Sequence, residues 1–204
     1  MKKFFAGLCI LSVIACAVKL SATINFSDLI SETNKTIVAD LRVAVPSCSE
    51  DDIQTIQMEF ATRNIRANYN KCSTDDMWNS YANFSLPITI VKQSLNADSD
   101  IFLQFINNGL YVRTSDKLSV VTDTSNDIFV EKINITSIEF YLVNDTNDSV
   151  KIKTGLAFVD DEPVYNKIIS VNPYDRILIK LPDVANKLLE KSNAEYLIFE
   201  VITE

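Results

Sequence analysis

There is no histidine in this chain of 204 residues. That removes the usual general base at neutral pH, the Ser-His and Cys-His nucleophile pairs, and imidazole metal sites. Glycine is nearly as scarce, at 3 residues, which excludes a collagen-like chain, a flexible Gly-rich linker and a Gly-rich phosphate loop. Basic charge is short as well: 19 Lys and Arg against 27 Asp and Glu leave a net charge of -8. Such a surface repels phosphate backbones and anionic lipid heads, so no nucleic-acid partner is expected. Glycoside hydrolysis needs only two carboxylates and survives these filters. The densest acidic stretch, Asp160-Asp161-Glu162 before Pro163, reads as a solvated turn rather than an acid and a base facing across a cleft. No catalytic residue and no cofactor is therefore expected, and the protein reads as non-enzymatic.

What is present starts with the N-terminus. Lys2 and Lys3 precede an apolar run from Phe4 to Ile14, and small residues follow; this is the pattern of an export leader. The run is shorter than the roughly 20 apolar residues that span a bilayer, so no transmembrane segment is expected in the mature chain. Ala15-Cys16-Ala17 and Leu20-Ser21-Ala22 both supply small residues for a leader peptidase, and residues 1–22 are taken as the leader. Val13-Ile14-Ala15-Cys16 resembles a bacterial lipobox, which would make Cys16 the lipidated first residue and the protein a surface lipoprotein. Six Asn-x-Ser/Thr sequons, at Asn25, Asn34, Asn83, Asn134, Asn144 and Asn147, favour instead a secreted glycoprotein. Asn144 and Asn147 stand too close for both to carry glycans.

With the leader gone, Cys48 and Cys72 remain, and in an oxidising compartment they are expected to pair. Ser49 followed by Glu50-Asp51-Asp52 looks like a helix start, with a capping residue and acids suited to the dipole. One straight helix from Ser49 to Asn70 would span roughly 30 Å, whereas a disulfide needs Cα atoms within about 7 Å. The chain must reverse near Arg63-Asn64, as a helix and return or as a hairpin. Upstream, Leu29, Ile30, Ile37, Val38 and Leu41 fit one face of a helix that Pro46 ends.

From Pro87 the texture changes to short β-rich runs: 88–91, 100–105, 110–113, 118–121, 128–130, 138–143, 150–153, 167–171, 176–181 and 196–201. Polar breaks such as 122–127 and 144–148 separate them. The reading is a mainly β chain: an antiparallel β-sandwich or jelly roll over about 87–204, with a helical, disulfide-linked segment, 23–86, packed on it. A single helix, Val184 to Lys191 after Pro182-Asp183, interrupts before the last strand. This close, helix then Tyr196–Val201, resembles the end of sugar-binding jelly-roll modules and of transforming-growth-factor-type prodomains in hydrophobic spacing alone.

Two ligand signals remain. Asn96, Asp98 and Asp100, or Asp123 to Asp127, could hold a structural calcium ion, but Ile101 and Asn107 stand where an EF-hand needs its glycine and its glutamate; a polar turn is the better reading. Trp78, Tyr81 and Phe84 stand at helical spacing beside Asn83, as a core stripe or as a stacking surface for a sugar or a protein. The function expected is binding of an extracellular protein partner by a secreted glycoprotein, with carbohydrate binding as the alternative and a carboxylate-dependent hydrolase third.

Overall fold

A computed structural model describes residues 17–62, 65–75, 77, 79–92, 101–114, 134–189 and 193–203. The first described elements are strand β1 (Ala17–Asn25), a single helical turn α1 (Phe26–Ile30), strand β2 (Lys35–Val45) and helix α2 (Glu50–Thr62). Strands β3 (Asn68–Thr74), β4 (Ser80–Val91), β5 (Ile101–Ile106), β6 (Gly109–Thr114) and β7 (Asn134–Val143) follow. The C-terminal part holds β8 (Val150–Thr154), β9 (Ala157–Val159), β10 (Glu162–Val164), β11 (Ile168–Val171), β12 (Arg176–Lys180), helix α3 (Asp183–Leu189) and β13 (Glu195–Val201). The fold is mainly β, as the short β-rich runs indicate.

All the described strands join one curled sheet in the order β10-β9-β12-β7-β1-β2-β4-β5-β6-β13-β8-β11, with β3 alongside β4. Pairing is antiparallel except at β1–β7 and β4–β5, which are parallel, so the sheet is mixed rather than purely antiparallel. Its two ends, β10 and β11, are separated by only Tyr165, Asn166 and Lys167 in the chain. Strands so far apart along the hydrogen-bond path can be so close in sequence only because the sheet rolls over on itself. The inner surface of the roll is the core, with Leu20, Ile24, Phe84, Ile90, Leu110, Ile138, Phe140 and Phe199 all fully buried.

Three sequence expectations shift. Residues 35–45 form β2 rather than a helix: Ile37, Ala39, Leu41, Val43 and Val45 are buried in strict alternation with exposed or half-buried neighbours. Leu29, Ile37 and Leu41 fit a helical period by coincidence, while apolar residues at every second position from Ile37 to Val45 carry the period of two. The segment before residue 87 is not an appendage, because β2 and β4 pair from Lys35↔Ile90 to Val45↔Ser80 near the middle of the sheet. Residues 17–22, read from the sequence as part of a leader, are described as strand. Ala17–Asn25 is a strand between β2 and β7, and its inward side chains Val18, Leu20, Ala22 and Ile24 belong to the core.

The reversal between the cysteines is a helix and return. Ser49 Oγ accepts the Asp52 N–H at 3.2 Å, capping α2, and three acids fill its first turn. Phe60 then packs edge-on against Phe84 with ring centroids 4.9 Å apart. Cys48 and Cys72 are bonded, with Cα atoms 5.6 Å apart. The bridge fastens the start of α2 to β3, whose only ladder partner among the described residues is β4.

Candidate functional site

The ends of the rolled sheet define the site. Val159 and Glu162 pair across a two-residue hairpin formed by Asp160 and Asp161, with φ of 49° and 67°. A tight hairpin wants both central residues left-handed, and Asn or Asp tolerates this better than most side chains. The hairpin is fixed to β12 by Asp160, whose N–H donates to the Leu178 carbonyl at 3.0 Å. Its Oδ1 accepts the Leu178 N–H at 3.0 Å. On the next strand Pro163 has no N–H to offer, which blunts the outer edge of β10.

Among the described residues the other end of the sheet has no further strand. Lys151 O accepts from Ile202 N, so the odd residues of β8 face β13, whereas Thr154 N donates to Lys167 O. The even residues of β8 therefore pair with Ile169 and Val171 of β11. Ile168 and Ser170 alternate with these, so their N–H and C=O groups point outward from the last described strand of the sheet. Between β10 and β11 lies an open groove of about 360 Å³. Val159, Val164, Ile168 and Ile169 supply apolar lining, Asp160 and Glu162 two acids, and Lys167 a cation. Ile168 of the lining is 60% accessible, and in the adjoining turns of the chain Tyr165 is 75% and Leu156 44% accessible. Leu156 is held in place by Tyr196, whose hydroxyl donates to the Leu156 carbonyl at 2.6 Å. Partial burial raises the pKa of that phenol.

This seam absorbs the acidic stretch Asp160-Asp161-Glu162 as a turn. Sequence reasoning gave Tyr165 and Ile168 no role, because isolated apolar residues near a turn resemble ordinary core. Pro163, directly after the acidic turn, is the one signal there of a sheet edge.

The expected aromatic stripe does not form. Trp78 lies outside the described residues. Tyr81 and Phe84 sit on strand β4 and face opposite sides: Phe84 is buried in the core, and Tyr81 lies half-buried on the outer face beneath Arg42. Spacing of three on a strand reverses direction, whereas on a helix it would align. The Arg42 guanidinium lies 3.7 Å from the Tyr81 ring centroid and covers the face on which a sugar would stack.

The sequons divide by environment. Asn34 and Asn147 are exposed, and Asn25 is half-buried. Asn83 is half-buried within β4, where its amide donates to the Lys71 carbonyl at 3.3 Å. Asn134 begins β7. Asn144 is 1% exposed. Its amide nitrogen, the atom that would carry a glycan, donates to the Asp148 and Val171 carbonyls at 2.8 and 2.9 Å. As a glycan site Asn144 is corrected: it ties the β7–β8 turn to β11. The calcium candidates at residues 96–98, Asp100 and 123–127 lie outside the described residues. Among the described residues no group of three His, Cys, Asp or Glu could hold a metal ion, and no helix is long and apolar enough to cross a membrane.

A family model matches residues 18–203, from the second residue of β1 almost to the C-terminus. The chain belongs to the DUF7424 family, described as a domain of unknown function. No curated protein and no solved structure matches this DUF7424 chain. The family span takes in β1 and both sides of the seam, so the rolled sheet corresponds to the DUF7424 domain as a whole.

Proposed function

We propose that this protein acts outside the cytoplasm as a non-enzymatic binding module that takes an extended segment of a protein partner into the seam between β10 and β11. The observation that carries this reading is the groove flanked by an open strand edge. Outward N–H and C=O groups at Ile168 and Ser170 can pair with an added strand, and the apolar lining accepts alternate side chains of that strand. The acidic side at Asp160 and Glu162 suits a Lys or Arg within the segment. The Cys48–Cys72 bridge supports export, since such bonds persist in oxidising compartments.

The test is selection from a displayed peptide library on the disulfide-bonded protein, with amide shifts recorded for the enriched peptides. Expected are peptides alternating apolar residues with one basic residue, shifting Ile168 to Ser170 and losing affinity at least tenfold on Ile168→Asp or Ser170→Pro. Enrichment unaffected by both substitutions would overturn the reading. So would a glycan array that shifts Tyr81 and Tyr141 on the outer face instead, which would identify a carbohydrate-binding module.

A further inference from the structure

We propose that the strand taken up at β11 is β11 of a second copy of this chain, so that two copies form a two-fold dimer whose sheets run together through these edges. This rests on the reading of β11 as the edge that accepts an added strand, and it names the partner.

The pairs β8–β11 and β9–β10 share one register, from Val150↔Val171 to Val159↔Glu162. They are therefore a single bent hairpin, and residues 162–171 form one arm of it with no described strand beyond. Pro163 removes an outward donor from the β10 half of that arm, which confines strand addition to Ile168 and Ser170. Two copies of this edge fit each other in one register. Antiparallel pairing centred on Ile169 sets Ile168 of each copy opposite Ser170 of the other, and every outward N–H and C=O of these residues is used. Centring on Ile168 or Ser170 leaves the other residue without a partner in β11. A slip of one residue faces outward groups with inward ones.

The two ends of the edge carry opposite charge. Lys167 precedes β11, and Lys153 pairs with Ile168 at its start. At its finish the Asn144 amide joins the carbonyls of Asp148 and Val171, and the Asn172 amide donates to the Asp175 carboxylate at 3.0 Å. Lys167, Asp148 and Asp175 are exposed. Antiparallel apposition brings the basic end of each copy against the acidic end of the other, whereas parallel apposition would set like against like. The strand is also the kind of segment this edge should take: Lys167-Ile168-Ile169-Ser170-Val171 puts Ile169 and Val171 on one face behind a single basic residue.

Exposed apolar side chains gather along the same short stretch, with Tyr165 75%, Ile168 60% and Tyr174 71% accessible. Tyr174 is held left-handed, at φ 64°, with its hydroxyl donating to Asn147, so its ring stands out at the far end of the edge from Tyr165. The register centred on Ile169 carries Tyr165 to within one residue of Tyr174 in the second copy. It also sets the half-buried Ile169 against its own counterpart across the axis. Aromatic anchors at both ends add contact area that so short a strand pair lacks by itself.

The test is sedimentation of the disulfide-bonded full chain over a concentration series, with cysteine cross-linking to fix the register. Expected is a reversible dimer whose dissociation midpoint rises at least tenfold on Ser170→Pro or Ile168→Asp, while both variants keep a cooperative thermal transition. Ile169→Cys should give a covalent dimer under mild oxidation, because residues facing each other at such a position have Cα atoms about 4.5 Å apart, within disulfide reach. The exposed Val38→Cys should not. A dimer that Ser170→Pro and Ile168→Asp leave intact, or one cross-linked equally well through Val38→Cys, overturns the proposal. A monomer at every concentration overturns it too. Displayed peptides that still shift Ile168 to Ser170 in that monomer leave the edge reading standing, and peptides that bind nowhere on it overturn both.

Discussion

Lys92 closes the far end of the same sheet. Its Nζ donates to the carbonyls of Asp28 and Leu29 on α1 and lies 5.0 Å from the centre of the Phe105 ring. Burial lowers its pKa to about 8, against the opposing pull of Asp28, with Lys35 adding to the lowering. The folded-state value lies below the unfolded one, so from about pH 8 to 10.5 the unfolded chain holds more protons and stability rises with pH. Denaturant midpoints measured at both ends of that window should show this rise in wild type and a smaller one in Lys92→Met. Lys19 and Glu139 make a second residue-scale case. Lys19→Met should cost about 1–2 kcal/mol, below the usual value for a broken buried pair because Lys19 is half exposed, and Glu139→Leu in the same chain should recover part of it; a double-mutant cycle by urea unfolding measures the coupling. The Cys48–Cys72 pair was readable from the sequence because, with residues 1–22 set aside as an expected leader, only two thiols remain to partner each other. The burial of Asn144 was not, because its two acceptors, at residues 148 and 171, come together only once β11 is in place.

The elements show what scarce glycine does to a β fold. Described left-handed positions are filled by Asn107 and Asn108 between β5 and β6, by Asp160 and Asp161 between β9 and β10, and by Asn166, Tyr174 and Asn193. Asp161 makes no anchoring bond comparable to that of Asp160, so Asp161→Gly should raise stability by about 0.5–1 kcal/mol by relieving φ, less what glycine adds to the unfolded chain's freedom. Thermal unfolding checks this directly. Strands β5, β7, β8, β11, β12 and β13 were legible because their apolar residues alternate or cluster between polar turns. The strand β2 was not, because Leu29, Ile30 and Val38 completed a false helical face. Val38 is 66% exposed, and neither propensity nor spacing told an outward Val from an inward one. The seam was illegible for a related reason: what makes Ile168 a candidate contact is that no described strand pairs beyond β11, and such a gap leaves no trace in local sequence.

At the scale of the molecule, the order of strands in space departs widely from their order in the chain. The path runs β7-β1-β2-β4 through one half and β5-β6-β13-β8 through the other, so the first and last strands both lie well inside it. A mainly β class could be read from composition and turn spacing, but this interleaving could not, because it is decided by contacts between distant segments. Its consequence is kinetic. Strand β1 meets β7 only after more than a hundred residues of chain have been made, and closing so long a loop is slow and costly until the whole core can reward it. No leading portion of the polypeptide holds a complete core, so a fragment ending at Thr114 should show the narrow amide dispersion of an unfolded chain. A chain built this way stays slack while it is being made, and acquires its shape only when nearly all of it is available to close the sheet.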